Sequence, residues 1–422
     1  MMEKDKTVCI TGEDVMSSLV NTRQITFEVT DACNLKCEYC GYGKFYSDYD
    51  KRENRFLPLD HAKRFWNYMR QLWLSPYNKS IHNKLFVSFY GGEPLVNMEF
   101  IGNMIDYIEN SCSASLPDIN FSMTTNAILL NKYMDYLVEK RVSLLISLDG
   151  GEEATSYRVT PAGKNAFDRI VYNVDKLKEK YPLFFESNVS FNAVLHNRNS
   201  VEEICSFFKQ RYNKIPAIGA LNNTGIKDTM KDEFDRTYKN PTESLLDSEN
   251  YTQIEQEMFL KAPTYRTATM FLLENSEFSF RNYNELLYGK KEIKNPIPTG
   301  TCLPFSKKVY ITVNGKILPC ERIGHQFSLG RITPDTIDLD FSAIANRYNE
   351  YFSKMQPSCS RCYARKGCYQ CIFNVETINN KHPLCHGYMD RETFERYKNS
   401  QLHFFQTHPD AYAKIMNDVI IK

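Results

Sequence analysis

Apolar and polar positions alternate in two rhythms between residues 23 and 219. In Arg23–Val29 the apolar residues Ile25, Phe27 and Val29 fall on every second position, which predicts a strand. From Pro58 to Leu74 the spacing changes: Phe65, Met69 and Leu72 recur at helical intervals after a Pro58/Asp60 start signal. The exchange continues down the chain. Strands are predicted at Lys84–Tyr90, Ile119–Thr124, Val142–Leu148, Glu186–Leu195 and Ile215–Leu221. Helices are predicted at Phe100–Asn110, Leu130–Lys140, Ala166–Lys180 and Val201–Arg211. About six strand–helix units of this kind imply an α/β fold with a parallel sheet and right-handed crossovers. Six units cannot close an eight-stranded barrel, so the choice lies between an open doubly wound sheet and a partial (βα)6 TIM-type barrel. Either way, the loops at the C-terminal strand ends are the favoured place for chemistry.

The rest of the chain divides by pattern. Residues 1–22 form a short N-terminal extension ahead of the barrel at 23–221. Residues 222–300 are polar and read as a connector or insertion. Residues 301–389 hold seven cysteines and read as a small metal-stabilised domain. Residues 390–422 read as a helical tail. Fifty-two basic against 51 acidic residues leave a net charge of +1, too little to expect a general nucleic-acid binder. No apolar run approaches membrane-spanning length, and the N-terminus has no apolar secretory segment, so a cytoplasmic location is expected.

The thirteen cysteines change the picture, because a chain this long without a secretory signal has little use for a disulfide framework. Right after the first predicted strand, Cys33, Cys37 and Cys40 follow a C-x3-C-x2-C spacing. Three thiolates on one loop can hold three irons of a [4Fe–4S] cube and leave the fourth open. A structural zinc site is the alternative, although it normally asks for four ligands and no further Cys or His lies in the loop. The second strand runs into Gly91-Gly92-Glu93-Pro94, where bare glycines let backbone approach a ligand and Glu93 can accept from an ammonium group. Thr124-Thr125-Asn126 ends the third strand and Ser147-Leu148-Asp149-Gly150 the fourth, both at the same predicted edge.

The triad, with the aromatic Tyr39 before its last cysteine, resembles the radical S-adenosylmethionine (radical SAM) enzymes. That resemblance implies the partial barrel fold and a cluster whose open iron chelates the amino and carboxylate groups of S-adenosylmethionine. Reductive cleavage of that ligand to a 5′-deoxyadenosyl radical is implied with it. By the same resemblance, Gly91, Gly92 and Glu93 lie against the amino group. Asn126 and Ser147 contact the ribose or methionyl carboxylate, Arg158 pairs with the carboxylate, and Leu195 lies beside adenine.

The second constellation is Cys302, Cys320, Cys359, Cys362, Cys368, Cys371 and Cys385, with Gly315 inside the first interval. Seven thiols exceed one four-ligand site, so two metal centres are expected. The spacing resembles the SPASM domain, the auxiliary-cluster domain of peptide-modifying radical SAM enzymes, except that Cys368 and Cys371 stand one residue closer. The resemblance implies auxiliary cluster I on Cys302, Cys320 and Cys371, and auxiliary cluster II on Cys359, Cys362, Cys368 and Cys385. Three [4Fe–4S] clusters are thus expected in all. Many relatives carry an eighth cysteine just upstream of the first, but residues 295–301 here hold none, which leaves an iron of cluster I free for a substrate thiolate; His325, His382 and His386 are the possible substitute ligands. Glu321, beside Cys320, stands where related sulfatase-maturating enzymes carry an aspartate general base. Cys9, Cys112 and Cys205 read as small buried hydrophobes.

The expected activity is maturation of a ribosomally made precursor peptide, by a thioether or carbon–carbon crosslink, with a reduced flavodoxin or ferredoxin as electron donor and no nucleic-acid or membrane partner. Formylglycine formation on a sulfatase is the alternative chemistry. A catalytically silent peptide-binding relative is the alternative of another class.

Overall fold

The computed structural model describes residues 10–79, 84–111, 117–275, 297–375 and 377–420. Cys9 and Cys112 lie outside them. The chain forms two compact units: one takes residues 11–249 and 302–344, the other the described residues among 1–10, 250–301 and 345–422.

The first unit is built on one sheet. Its parallel strands are β1 (Gln24–Thr30), β2 (Lys84–Gly91), β3 (Asp118–Thr125), β4 (Ser143–Ser147), β5 (Val189–Leu195) and β6 (Ala217–Ala220). Each pairs in parallel with the next in sequence order. The crossover helices are α1 (Leu59–Trp73), α2 (Met98–Asn110), α3 (Leu130–Glu139), α4 (Phe167–Lys180) and α5 (Val201–Tyr212). Strand-plus-helix alternation therefore appears where the rhythm of the sequence changes. One stretch departs from it. Glu186–Asn188, expected in a strand, closes the short helix Pro182–Asn188, because Pro182 supplies a ready-made first helical turn.

The sheet does not close on itself. The free edge of β1 is taken by β7 (Val309–Ile311), which runs parallel to it with Ile25 opposite Val309. β8 (Lys316–Leu318), β9 (Gly330–Ile332) and β10 (Ile337–Asp338) follow in antiparallel order, giving ten strands in one sheet. The expected domain of residues 301–389 is thus divided: residues 302–344 extend the barrel sheet and the remainder packs with the second unit. The physical reason is the open edge of β1, whose backbone groups need partners.

The core is apolar and aromatic. Ile25, Phe27 and Val29 of β1 are fully buried, with Phe27 edge-on to Phe100 of α2 at 6.5 Å, and Phe65, Trp66 and Met69 of α1 are fully buried as well. Trp66 spends its indole N–H on Ser111 Oγ at 2.8 Å. Cys205 is buried on α5, as a small hydrophobe would be.

Between β1 and α1 the chain from Asp31 to Pro58 has neither helix nor strand, and the cysteine triad sits on it. Three anchors hold it. Buried Asp31 accepts from the backbone N–H groups of Glu53 and Arg55 at 3.0 and 2.6 Å. Thr30 Oγ1 donates to the Arg55 carbonyl at 2.6 Å. The third anchor is the end of β2, where Gly92 and Glu93 donate their N–H groups to the carbonyls of Thr30 and Ala32 at 2.8 and 2.9 Å. Gly91 has φ +140°, and a Cβ on Gly92 would stand 2.1 Å from the Ala32 oxygen. These glycines thus let β2 press on the cysteine loop itself, a closer partner than the ligand anticipated for them.

The second unit is helical in its described part, with helices at Tyr251–Met258, Pro263–Asn275, Arg391–Thr407 and Pro409–Ile415. Fully buried Glu255 accepts from Tyr251 and Thr264 and pairs with His408 at 2.7 Å. Among the described residues no helix is long and apolar enough to cross a membrane.

Replacing Gly92 with alanine tests the strand–loop contact. G92A should lower stability by about 1–3 kcal/mol or more and cut iron uptake by the triad. Urea unfolding and iron content check both; an unchanged midpoint would show that the loop yields freely.

Candidate functional site

The C-terminal ends of the parallel strands open into one cavity of about 300 Å³. Cys33, Cys37, Tyr39 and Cys40 reach it from the loop after β1. Tyr90, Gly91, Gly92 and Glu93 reach it from β2, Thr124, Thr125 and Asn126 from β3, and Ser147 from β4. Arg158, Asn192, Val194, Leu221, Tyr310 and Glu321 complete much of the wall. Eleven residues singled out from sequence therefore meet in one place: the three cysteines of the triad, Tyr39, Gly91, Gly92, Glu93, Asn126, Ser147, Arg158 and Glu321. Leu195 does not line the cavity; it is fully buried at the end of β5.

Two of these side chains and one backbone N–H are held by a single acid. Asp149, just past β4 and fully buried, accepts from Arg158 Nε at 2.9 Å and Nη2 at 2.8 Å, from the Val194 N–H at 2.9 Å, and from the Tyr39 hydroxyl. A buried carboxylate with this many donors is satisfied, and so is the guanidinium facing it. Arg158 consequently enters the cavity wall as half of an ion pair, its charge largely spent on Asp149, while its guanidinium carbon lies 5.5 Å from the centre of the Tyr39 ring. The sequence reading placed Asp149 at the end of the fourth strand but gave it no link to Arg158 or Tyr39.

Glu93 is buried and accepts from Thr125 Oγ1 at 2.7 Å, the Asn126 N–H at 2.7 Å and the Leu95 N–H at 3.1 Å. Burial pushes its carboxyl up to about 7, with those hydrogen bonds opposing. Asn126 donates to Asn34 Oδ1 at 2.8 Å, which joins the end of β3 to the cysteine loop.

The thiols fit an iron–sulfur cluster by their surroundings. Among the described residues no three His, Cys, Asp or Glu side chains are gathered closely enough to hold a single ion. A [4Fe–4S] cube asks for something different, since each thiolate binds its own iron and the sulfurs must border a volume. Cys33, Cys37 and Cys40 border one. The Leu35 N–H points at Cys33 Sγ at 3.4 Å, and Arg52 Nη2 lies 3.4 Å from Cys40 Sγ. Similar backbone donors face Cys320 Sγ (from Arg322, 3.3 Å) and Cys362 Sγ (from Met389, 3.4 Å). A neutral thiol accepts weakly, whereas a metal-bound sulfur accepts well, so these donors suit the bound state. In the second unit Cys359, Cys362, Cys368 and Cys385 are electrostatic neighbours. Cys302 and Cys320 belong to the first unit and Cys371 to the second.

Glu321 lies on the cavity wall with both carboxylate oxygens on Lys308 Nζ, at 2.9 and 2.8 Å. Burial raises its pKa, but Lys308 outweighs that and holds the carboxyl below the usual range. Of the candidate histidines, buried His325 accepts from the Asp50 N–H at 3.1 Å through Nδ1 and packs on Tyr49. Sequence reasoning missed Arg52, Tyr42, Tyr90 and Tyr310, which have no spacing signal; only the fold carries them to the cavity.

An open α/β barrel thus brings three cysteines to the cavity at its C-terminal edge. Residues 27–210 match the Radical SAM superfamily. That stretch of the chain carries a radical SAM domain, and such a domain implies a [4Fe–4S] cluster and S-adenosylmethionine. It is 26% identical over 239 residues to the radical SAM cyclopropyl synthase TigE of Paramaledivibacter caminithermalis, covering 53% of this chain and 45% of that one. It is 22% identical over 357 residues to a GTP 3',8-cyclase of Alkaliphilus metalliredigens, covering 79% and 91%. The chain spans about half the length of the first curated relatives it matches. A solved structure of native anSMEcpe with bound AdoMet shares the fold, with a TM-score of 0.56 and 17% identity over 93% of this chain and 99% of that one.

Loading of the site should depend on pH. Burial pushes the Cys33 thiol up to about 11 and Cys37 up to about 12. Both are therefore protonated at neutral pH, and each must lose its proton to bind iron. Well below these values the thiolate fraction rises about tenfold per pH unit. Anaerobic cluster assembly, followed by absorbance, should be at least about tenfold faster at pH 8 than at pH 7 and should release protons. The metal-free chain should lose stability above the ordinary thiol range, because the unfolded thiols ionise first. A loading rate flat across pH would refute the protonated state.

Proposed function

We propose that this chain is a radical SAM peptide maturase that takes hydrogen from a residue of a ribosomally made peptide and forms a crosslink. The observation that carries the reading is that the triad, Glu93, Asn126, Ser147 and Arg158 share one cavity with Glu321. In this reading Cys33, Cys37 and Cys40 hold the radical-generating cluster, and Cys359, Cys362, Cys368 and Cys385 hold an auxiliary cluster within the second unit. When bound, these clusters and S-adenosylmethionine supply the radical that breaks a C–H bond and the means of removing one further electron, with a flavodoxin or ferredoxin as external reductant.

The chain's own residues do the rest. Glu93, raised toward neutrality, accepts from the ammonium of S-adenosylmethionine. Asn126 and Ser147 orient its ribose and carboxylate from two adjacent strand ends. Tyr39, locked by Asp149, forms a rigid wall beside the thiols. Glu321 stays ionised through Lys308 and can accept the proton that leaves the substrate with the second electron.

The likeness to a protein named as a cyclopropyl synthase favours carbon–carbon over thioether bond formation. Glutamate in place of the relatives' aspartate disfavours formylglycine formation. The GTP 3',8-cyclase likeness suggests a nucleoside triphosphate, but the cavity wall offers little positive charge for one: of its two arginines, Arg158 is paired with Asp149, which leaves Arg52.

Anaerobically reconstituted protein should cleave S-adenosylmethionine to 5′-deoxyadenosine under strong reductant, and C33A/C37A/C40A should abolish this. Given a ribosomal precursor peptide that it accepts, it should yield a product lighter by two hydrogen atoms, and GTP should not be consumed. E321Q should keep the cleavage but lose about 100-fold or more of peptide product. Consumption of GTP with the peptide untouched would replace this reading by the cyclase one.

A further inference from the structure

Arg52 lies in a charged run, Asp50-Lys51-Arg52-Glu53, that reads as solvated surface. The fold takes it inward instead. Its Nη2 lies 3.4 Å from Cys40 Sγ, and its guanidinium carbon stacks 4.4 Å from the centre of the Tyr42 ring. Its Nε is buried with no hydrogen-bond partner, while the charges of Cys40, Cys33 and Glu28 act on the guanidinium. The platform beneath it is itself fixed. Tyr42 donates its hydroxyl to Glu28 on β1, and Glu28 accepts the Val313 N–H at 2.8 Å. Glu28 is buried at the centre of the sheet, so the chain Glu28, Tyr42, Arg52 carries β1's rigidity to one thiol.

We infer that Arg52 is a positioning residue that makes the triad-bound cluster easier to reduce, by pointing a fixed positive charge and an N–H donor at the Cys40 sulfur. The inference rests on the reading that Cys33, Cys37 and Cys40 hold the radical-generating cluster. Hydrogen bonds to cluster sulfurs and nearby positive charge stabilise the more negative, reduced state and raise the potential. Arg158, the other arginine on the cavity wall, acts on Cys37 by its charge but spends Nε and Nη2 on Asp149 instead of a sulfur. A lysine would keep the charge but lose the planar fork that stacks on Tyr42 while reaching Cys40.

The test uses the full chain, reconstituted anaerobically, as wild type, R52K and R52Q. Potentiometric titration follows the reduced paramagnetic signal that changes shape when S-adenosylmethionine is added and is missing from C33A/C37A/C40A. At the potential where the wild-type signal is half developed, R52Q should show a reduced-to-oxidised ratio at least about tenfold lower, or about 59 mV for a one-electron couple. R52K should fall between the two, with iron content unchanged in both. Variants that titrate with the wild type overturn the inference. If R52Q fails to hold iron, R52K decides: a midpoint equal to wild type overturns the inference, and a more negative one supports it. A wild type without that signal overturns the parent reading, and this inference with it, whereas equal midpoints leave the parent reading standing.

Discussion

Everything at the active edge depends on holding an irregular loop still. The chain from Asp31 to Pro58 carries all three triad thiols with no ladder of hydrogen bonds of its own. Its order is borrowed from neighbours. The glycines at the end of β2 allow backbone to lie on backbone, and Ala32 and Thr30 accept N–H groups from across that contact. A side chain on Gly92 would occupy the space of the Ala32 carbonyl, so absence of a Cβ is what lets strand and loop meet.

A second constraint acts from the other side of the cavity. Asp149 gathers Arg158, Tyr39 and the Val194 N–H, and so joins the ends of β4 and β5 to the cysteine loop. Ion pairs this deeply buried gain little net stability, but breaking one leaves an unpaired charge and costs several kcal/mol. Its value here is geometric: an aromatic wall next to the thiols cannot rotate. With Asn126 bonded to Asn34, and Arg52 over Tyr42, the loop is fixed from several directions at once. A radical reaction needs such rigidity, because the cofactor supplies reactivity and the protein supplies position.

Much of the framework was legible in the chain. The change from alternating to helical spacing marked β1 to β6 and α1 to α5 within a residue or two, except at the start of β5, since each element buries one face and that face writes its period into the sequence. Cys33, Cys37, Cys40, Gly91, Gly92, Glu93, Asn126 and Ser147 were legible for a related reason. They stand at or just past the C-terminal ends of successive strands, and parallel strands in order must bring those ends together.

Other features were fixed only by long-range contact. That β7 to β10 join the barrel sheet follows from the unpaired edge of β1, which no local pattern in residues 302–344 announces. Asp149 resembles an ordinary turn acid until Arg158, Tyr39 and Val194 close on it from three separate segments. Arg52 sits in a polar run whose composition signals solvent, yet the anchors at Asp31 and the stacking of Tyr42 turn it toward a thiol. Sequence spacing by itself determined which residues can carry iron and the strand ends that present them. Tertiary structure decided which charges face those sulfurs and which are cancelled, because pairing between distant side chains depends on burial and direction, and neither is written in local order.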